Sequence, residues 1–460
     1  MARRTTKKKD LTPEEKLAQA LVPVDKIEYT IPQNWCWVVL GKIIGIKRGA
    51  SPRPIKAYIT EGKGVNWIKI GDADEGKYIN QTKERITYEG AEKSVFVEKG
   101  TLLLSNSMSF GRPYVLNVSG CIHDGWLAIT PNSATVQDFL YYGLLSSQWY
   151  FERVAVGTAV RNLNSDRVAA TPFPLPPLPE QQRIVARIES LFAKLDEAKE
   201  KTQAVVDGFE ERKAAILHKA FTGELTKRWR EERGIESKCE YVTVDSVCKS
   251  LKYGTARKSA PEGTVVVIRM GNLQQGEIDW RNLVYSTDED DNQKYRLSAG
   301  DVLFNRTNSP EWVGKTSIYR GEYPAIYAGY LIKLDYDHSI LEGEYLNYIL
   351  NTPEAKEYCN RVKTDGVNQS NINAKKIGAF SFPLPSLTEQ QQIISTLHDL
   401  LDKQQQAKSA AEQVLDQIDT MKKAILARAF RGELGTNDPQ EESAVELVRR
   451  ALSKGGETVG

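Results

Sequence analysis

The chain has 460 residues, 40% hydrophobic and 27% charged, with 62 basic against 60 acidic side chains and a formal net charge of +2. Single cores stop growing well below this length, so two or more domains are expected. The balanced charge excludes a uniformly basic nucleic-acid coat, so any DNA contact must come from local segregation of charge.

Residues 1–30 read as a basic tail (MARRTTKKKD), a short helix and a linker. LTPEEKLAQA follows the basic start where a signal would have an apolar segment, and no apolar run approaches membrane length. Neither a secretory signal nor a membrane span is therefore expected, and the chain is assigned to the cytoplasm. The five cysteines (Cys36, Cys121, Cys239, Cys248, Cys359) form no C-x-x-C pair. That pattern points to a reducing compartment, with no disulfide framework and no structural zinc.

From 31 to 178, β-branched and aromatic runs (GVNWIKIGDADEGKYI, KGTLLLSN, GWLAITP) alternate with Gly, Asn, Asp and Pro turns, the pattern of an α+β domain. The proline run from Pro172 to Pro179 is expected to be neither strand nor helix but a stiff connector. Residues 179–224 then form a first long helix and 225–239 a linker. Residues 240–385 are a second α+β region, 386–434 a second long helix, and 435–460 a tail with a short amphipathic helix. The two halves are copies: WIKIGDADEG at Trp67 answers VIRMGNLQQG at Val267, and FPLPPLPEQQ at Phe173 answers FPLPSLTEQQ at Phe382. Two copies are too few for a solenoid and suit a pseudo-twofold molecule.

Both helical segments carry a seam with alternating spacings of four and three. Its apolar members are Ile184, Ile188, Leu191, Leu195, Ala198, Val205, Phe209 and Ile216 in one copy, and Ile393, Leu397, Leu400, Ala407, Ala411, Val414, Ile418, Met421 and Ile425 in the other. Each helix is the simplest partner for the other, which predicts an antiparallel coiled coil between two similar globular heads.

No phosphate loop, dinucleotide fingerprint, zinc-protease helix, nucleophile elbow or methyltransferase Asn-Pro-Pro-aromatic motif occurs. Cys121 and His123 lie close in CIHD, but the second copy has Ile326 and Tyr327 there, so a core cysteine beside a loop histidine is the preferred reading. The chain is expected to catalyse nothing. What remains is polar recognition. GTAVRNLNSDR offers Arg161, Asn162, Asn164 and Arg167, and DGVNQSNINAKK offers Asn368, Gln369, Ser370, Asn371 and Asn373. Asn and Gln suit adenine edges and Arg suits guanine, although the same mixture also makes an ordinary solvated loop. SNSMSFGRP adds Asn106 and Arg112, and NRTNSPEWVGK adds Arg306, Asn308 and Lys315. Arg48, Arg53 and Lys56, with Lys252, Arg257 and Lys258, are phosphate contacts or merely solvated.

The doubled PLPPLPEQQRIVARIESL/PLPSLTEQQQIISTLHDL block and the AILHKAFTGEL/AILARAFRGEL pair resemble the conserved regions of type I restriction–modification specificity subunits. IPQNWCWVVLGKI is similar to the start of a target recognition domain in that family. The resemblance covers essentially the whole chain. It implies two target recognition domains, each reading one half of a bipartite, asymmetric site in double-stranded DNA, with the helices as spacer. It also implies two modification subunits that bring S-adenosylmethionine for adenine-N6 methylation, and two restriction subunits that use ATP and Mg2+ for cleavage. The cofactors would then belong to the partners and none to this chain. The rival readings are an orphan specificity subunit and a coiled-coil adaptor whose heads bind proteins.

Overall fold

The computed structural model describes residues 12–106, 110–155, 163–236, 239–367 and 369–453. The chain divides into two compact units, Met1–Glu200 with Val414–Gly460, and Lys201–Gln413. Each unit therefore takes part of both long helices.

In the first unit, Ile44–Arg48, Trp126–Pro131, Leu102–Ser105 and Pro113–Leu116 form an antiparallel sheet, which Tyr78–Ile79 extends in parallel. Leu102 and Leu104 face one core with Phe139, Ile184, Ile188, Leu426 and Phe430, while Leu103 faces a second with Ile68, Tyr114 and Trp126. A strand covered on both faces reads as a continuous apolar run, which accounts for TLLLSN. A second sheet runs Ile59–Thr60, Glu84–Ile86, Val65–Ile68, Gly120–Ile122, Val95–Val97, and its Val65–Ile68/Gly120–Ile122 pair is parallel.

The second unit repeats this plan. Cys248–Tyr253, Leu331–Tyr336, Val302–Asn305 and Thr316–Ile318 form the antiparallel sheet. Val265–Ile268 pairs in parallel with Ala325–Tyr327. Val302 and Phe304 face one core and Leu303 the other.

The proline run departs from expectation. Pro172–Leu175 is a strand antiparallel to Cys36–Val39, and Ser381–Leu384 pairs with Glu240–Thr243 in the same way. These are two-stranded ladders, and Pro172 and Pro174 sit at alternate positions, so the side lacking an N–H faces away from the partner. Pro179 lies in the first turn of the helix, where a missing N–H costs nothing.

The first long helix, Leu178–Asp207, is interrupted at Gly208 and resumes as Phe209–Phe221. The second, Leu387–Ala429, is continuous over 43 residues, about 65 Å at 1.5 Å per residue. The expectation of one unbroken first helix is thus corrected at Gly208. The Arg212 guanidinium stands where a side chain there would lie, 2.5 Å from the position of an added Cβ, and donates to the Val205 carbonyl.

The helices run antiparallel within each unit. In the first, Lys422 pairs with Asp196 and Lys199 with Asp419 at 3.6 Å. In the second, the Lys408 ammonium lies over the Phe209 ring at 4.6 Å. The seam is buried best where the sheets back it. Ile184, Ile188 and Leu397 are fully buried, and Ile393, Phe209 and Ile418 nearly so. Leu191, Leu195, Ile216, Leu400 and Ile425 are half-buried. Val205, Val414 and Met421 are 42%, 40% and 50% exposed, against expectation. Two helices cover each other from one side only, and a straight helix drifts about 20° per heptad from a strict seven-residue repeat.

The short helices expected near both ends of the chain are present and join the first core. Helix Pro13–Ala20 and helix Ala444–Ser453 pack into the first core through Leu17, Ala20, Ala444, Val448 and Ala451.

The Glu-Gln pair opening each long helix ties it to its head. Gln181 accepts from Val136 N–H (2.8 Å) and donates to the Ala134 (2.9 Å) and Pro176 (3.1 Å) carbonyls. Gln390 accepts from Glu342 N–H (2.8 Å) and donates to the Ile340 and Pro385 carbonyls, both at 2.8 Å. Buried Glu180 accepts from Trp35 Nε1 (2.7 Å) and Asn437 Nδ2 (2.9 Å), whereas Glu389 takes the Thr226 hydroxyl (2.7 Å) and the Arg230 guanidinium.

Candidate nucleic-acid interface

In the second unit, folding brings together two loops whose paired residues Thr307 and Asn371 are 64 apart in sequence. Thr307–Asn308 pairs with Ser370–Asn371, which pairs in turn with Thr364–Asp365, making a three-stranded ribbon. Asn371 Nδ2 donates to Thr307 Oγ1 (2.8 Å), Lys376 Nζ to Thr364 Oγ1 (2.6 Å), and Ile372 N–H to the Arg306 carbonyl (2.8 Å). The Arg306 guanidinium lies 4.9 Å from the Tyr253 ring centre, and the Tyr253 hydroxyl accepts from Ala374 N–H at 3.0 Å. Val367 and Gln369 are exposed at the ribbon tip.

The first unit centres on the turn around Asp124. Its carboxylate accepts from Ser51 Oγ (2.7 Å), faces His123 Nε2 (3.0 Å) and stands 3.7 Å from Arg53. Its carbonyl accepts from Arg48 Nε (3.2 Å) and Asn106 Nδ2 (2.9 Å). Partial burial pushes the Asp124 carboxyl up, but Ser51, His123 and Arg48 hold it below the ordinary value.

Several candidates from sequence are engaged elsewhere. Asn106 is 2% exposed and Ser370 fully buried, donating to Asp365; both leave the set of base readers because their polar atoms already hold the fold. Asn164 and Asn373 are equivalent helix caps, accepting from Arg167 N–H and Lys376 N–H, each at 2.9 Å. Arg112 donates to the Glu75 carbonyl and lies 5.4 Å over Tyr114, and Lys315 donates to Gln274 Oε1 at 3.0 Å. These two cations brace equivalent loops instead of standing free, and burial lowers the Lys315 pKa. Arg257 pairs with Asp288 and Asp291, and Lys252 with Asp335. Lys56 and Lys258 are exposed, Arg167 is half-buried, and Asn308 accepts from Ser309 N–H (2.8 Å). Arg161, Asn162 and Asn368 lie outside the described residues. Sequence reasoning missed Tyr253, Ser51 and Asp124; KYGTARK at least places Tyr253 beside the basic loop.

Cys121 is fully buried, with its thiol pKa raised by that burial, and its Sγ lies 3.9 Å from the Ala91 carbonyl. His123 turns away to Asp124 and accepts from Gly125 N–H (2.9 Å) at Nδ1. Among the described residues no group of His, Cys, Asp and Glu is arranged to hold a metal ion, and no helix is long and apolar enough to cross a membrane.

Residues 32–206 and 236–415 each match the type I restriction modification DNA specificity domain. The chain belongs to that family. Among curated relatives, the type I restriction enzyme EcoKI specificity subunit of Escherichia coli (strain K12) is 26% identical over 367 residues, covering 78% of this chain and 76% of the relative. The StySPI specificity subunit of Salmonella potsdam is 25% identical over 63% of this chain and 64% of the relative. Among solved structures, the HsdS subunit from Thermoanaerobacter tengcongensis aligns with a TM-score of 0.59 at 20% identity, covering 88% of this chain and 99% of that one. A chain from a study of type I R-M complex assembly and conformational transition aligns at 0.65, with 20% identity and 88% and 100% coverage. As a type I specificity protein the chain is the non-catalytic member of its system, with an α+β head in each unit.

Proposed function

We propose that each head reads one half of a bipartite, asymmetric DNA site and that the long helices set the interval between the halves. The observation that carries this reading is the pairing of two specificity-domain matches with two heads of common sheet order and different loop chemistry. The turn between Gly120–Ile122 and Trp126–Pro131 carries Asp124 in the first head, whereas the equivalent turn between Ala325–Tyr327 and Leu331–Tyr336 carries Ala328, Gly329 and Tyr330 in the second, as reading two unlike half-sites requires. Two modification subunits would bring S-adenosylmethionine to this frame, and two restriction subunits would bring ATP and Mg2+.

The test is mapping of methylated adenines in cells that express the chain with its modification subunit. Wild type should yield a two-part motif with an unspecified spacer. Replacing Asn308 and Asn371 with alanine should relax one half and leave the other unchanged. A continuous motif, or both halves altered together, would sink the assignment. Affinity for the mapped duplex should also fall steeply with salt, since phosphate contacts release counterions.

A further inference from the structure

The second head carries a loop between Asn308 and Thr316 whose backbone is pinned. Trp312 and Val313 N–H donate to the Ser309 carbonyl (3.0 and 3.1 Å), and Gly314 N–H to the Asn305 carbonyl (2.8 Å). Gly314 has φ +86°, and a Cβ there would lie 2.8 Å from Cys359 Sγ, so the loop presses on the helix Pro353–Val362. Lys363 Nζ donates to the Pro310 carbonyl at 3.2 Å, fastening the loop beside the ribbon that carries Asn371. On this loop Trp312 is 55% exposed. The Lys315 ammonium lies 4.2 Å from its ring centre, itself held by Gln274.

A flat ring on a loop held by backbone hydrogen bonds, with a cation against it and base-edge donors on the adjoining ribbon, has the parts of a stacking platform. We propose that Trp312 stacks on a nucleobase at a step opened in the duplex of the half-site read by the second head. The proposal rests on the DNA-reading assignment above and adds a contact that stacks without reading a base edge.

The full-length chain, wild type and the variants W312A and W312F, is titrated with a fluorescein-labelled duplex selected by the wild-type chain from a random pool, across a range of salt. W312A should weaken binding about tenfold, within the range seen for loss of one base–aromatic stack. W312F, which keeps a ring, should stay within about threefold. The slope of log affinity against log salt should not change, because stacking neutralises no phosphate. Equal melting temperatures confirm that an exposed side chain was removed without unfolding the head. W312A binding like wild type would overturn the proposal and leave Trp312 to a protein contact. W312F as weak as W312A, or a reduced salt slope, would also overturn it. A wild-type chain that selects no duplex would overturn the DNA-reading assignment and this contact with it.

Discussion

Gln181 and Gln390 each join three backbone groups that would otherwise be buried without partners. Replacing Gln181 with alanine orphans Val136 N–H and two carbonyls, which should cost about 2–4 kcal/mol. The neighbouring exposed Gln182 should cost under about 0.5 kcal/mol; urea unfolding of both variants checks the contrast. Arg230 and Glu389 are each 8% exposed and face one another. Glu389→Ala strands a buried guanidinium and should destabilise by about 3–5 kcal/mol. Lys356 offers a pH signature. Burial lowers its pKa to about 8, while its Nζ donates to the Gly314 carbonyl (2.7 Å) and Asn351 Oδ1 (3.1 Å). An unfolded lysine keeps its proton to about pH 10.4, so between about pH 8 and 10 the unfolded chain binds a proton that the folded chain has shed. The penalty is complete below pH 8 and is relieved as pH rises, so stability climbs over that window. Urea titrations at about pH 7.5 and 9.5 should show wild type gaining stability relative to Lys356→Met, because the buried thiols, whose raised pKa values pull the other way over this window, are common to both chains.

Among the elements, the two helical copies differ in continuity at one position. Gly208 stops the first helix where the second copy carries Gln417 and continues. Its φ of −77° is helical enough for any side chain, and the obstacle to a Cβ is the mobile end of Arg212. Gly208→Ala should therefore join the two segments and stabilise by about 0.5–1 kcal/mol, visible as a higher melting temperature and more helical circular dichroism. Gly432 behaves oppositely. It has φ +75°, and a Cβ would stand 2.4 Å from Pro32 Cγ, so Gly432→Ala should lower the melting temperature.

For the whole molecule, the helices matter through their length. Inserting four residues after Ala198 and four after Ala407 adds about 6 Å to each helix. At about 3.4 Å per base pair, the unspecified spacer should grow by one or two base pairs while both half-site sequences persist. Methylation mapping that returned the original spacer would reject the helices as the ruler.

The repeat, the two α+β heads, the long helices and their seam were legible in the sequence because periodicity and duplication are local properties of the chain. Ile184, Ile188, Ile393 and Leu397 could be read as buried from spacing alone. Other facts depend on what a residue meets across the fold. Asn106 and Asn308 look alike in sequence, yet one is enclosed beneath the Asp124 turn and the other sits on the ribbon. The prolines pair as strands only because an antiparallel partner arrives from over a hundred residues away. Val205, Val414 and Met421 obey the heptad rule but stay exposed, since among the described residues no third element covers them. Sequence set which segments are similar and which faces are apolar; tertiary structure decided which polar groups were already bonded and which remained to meet a ligand.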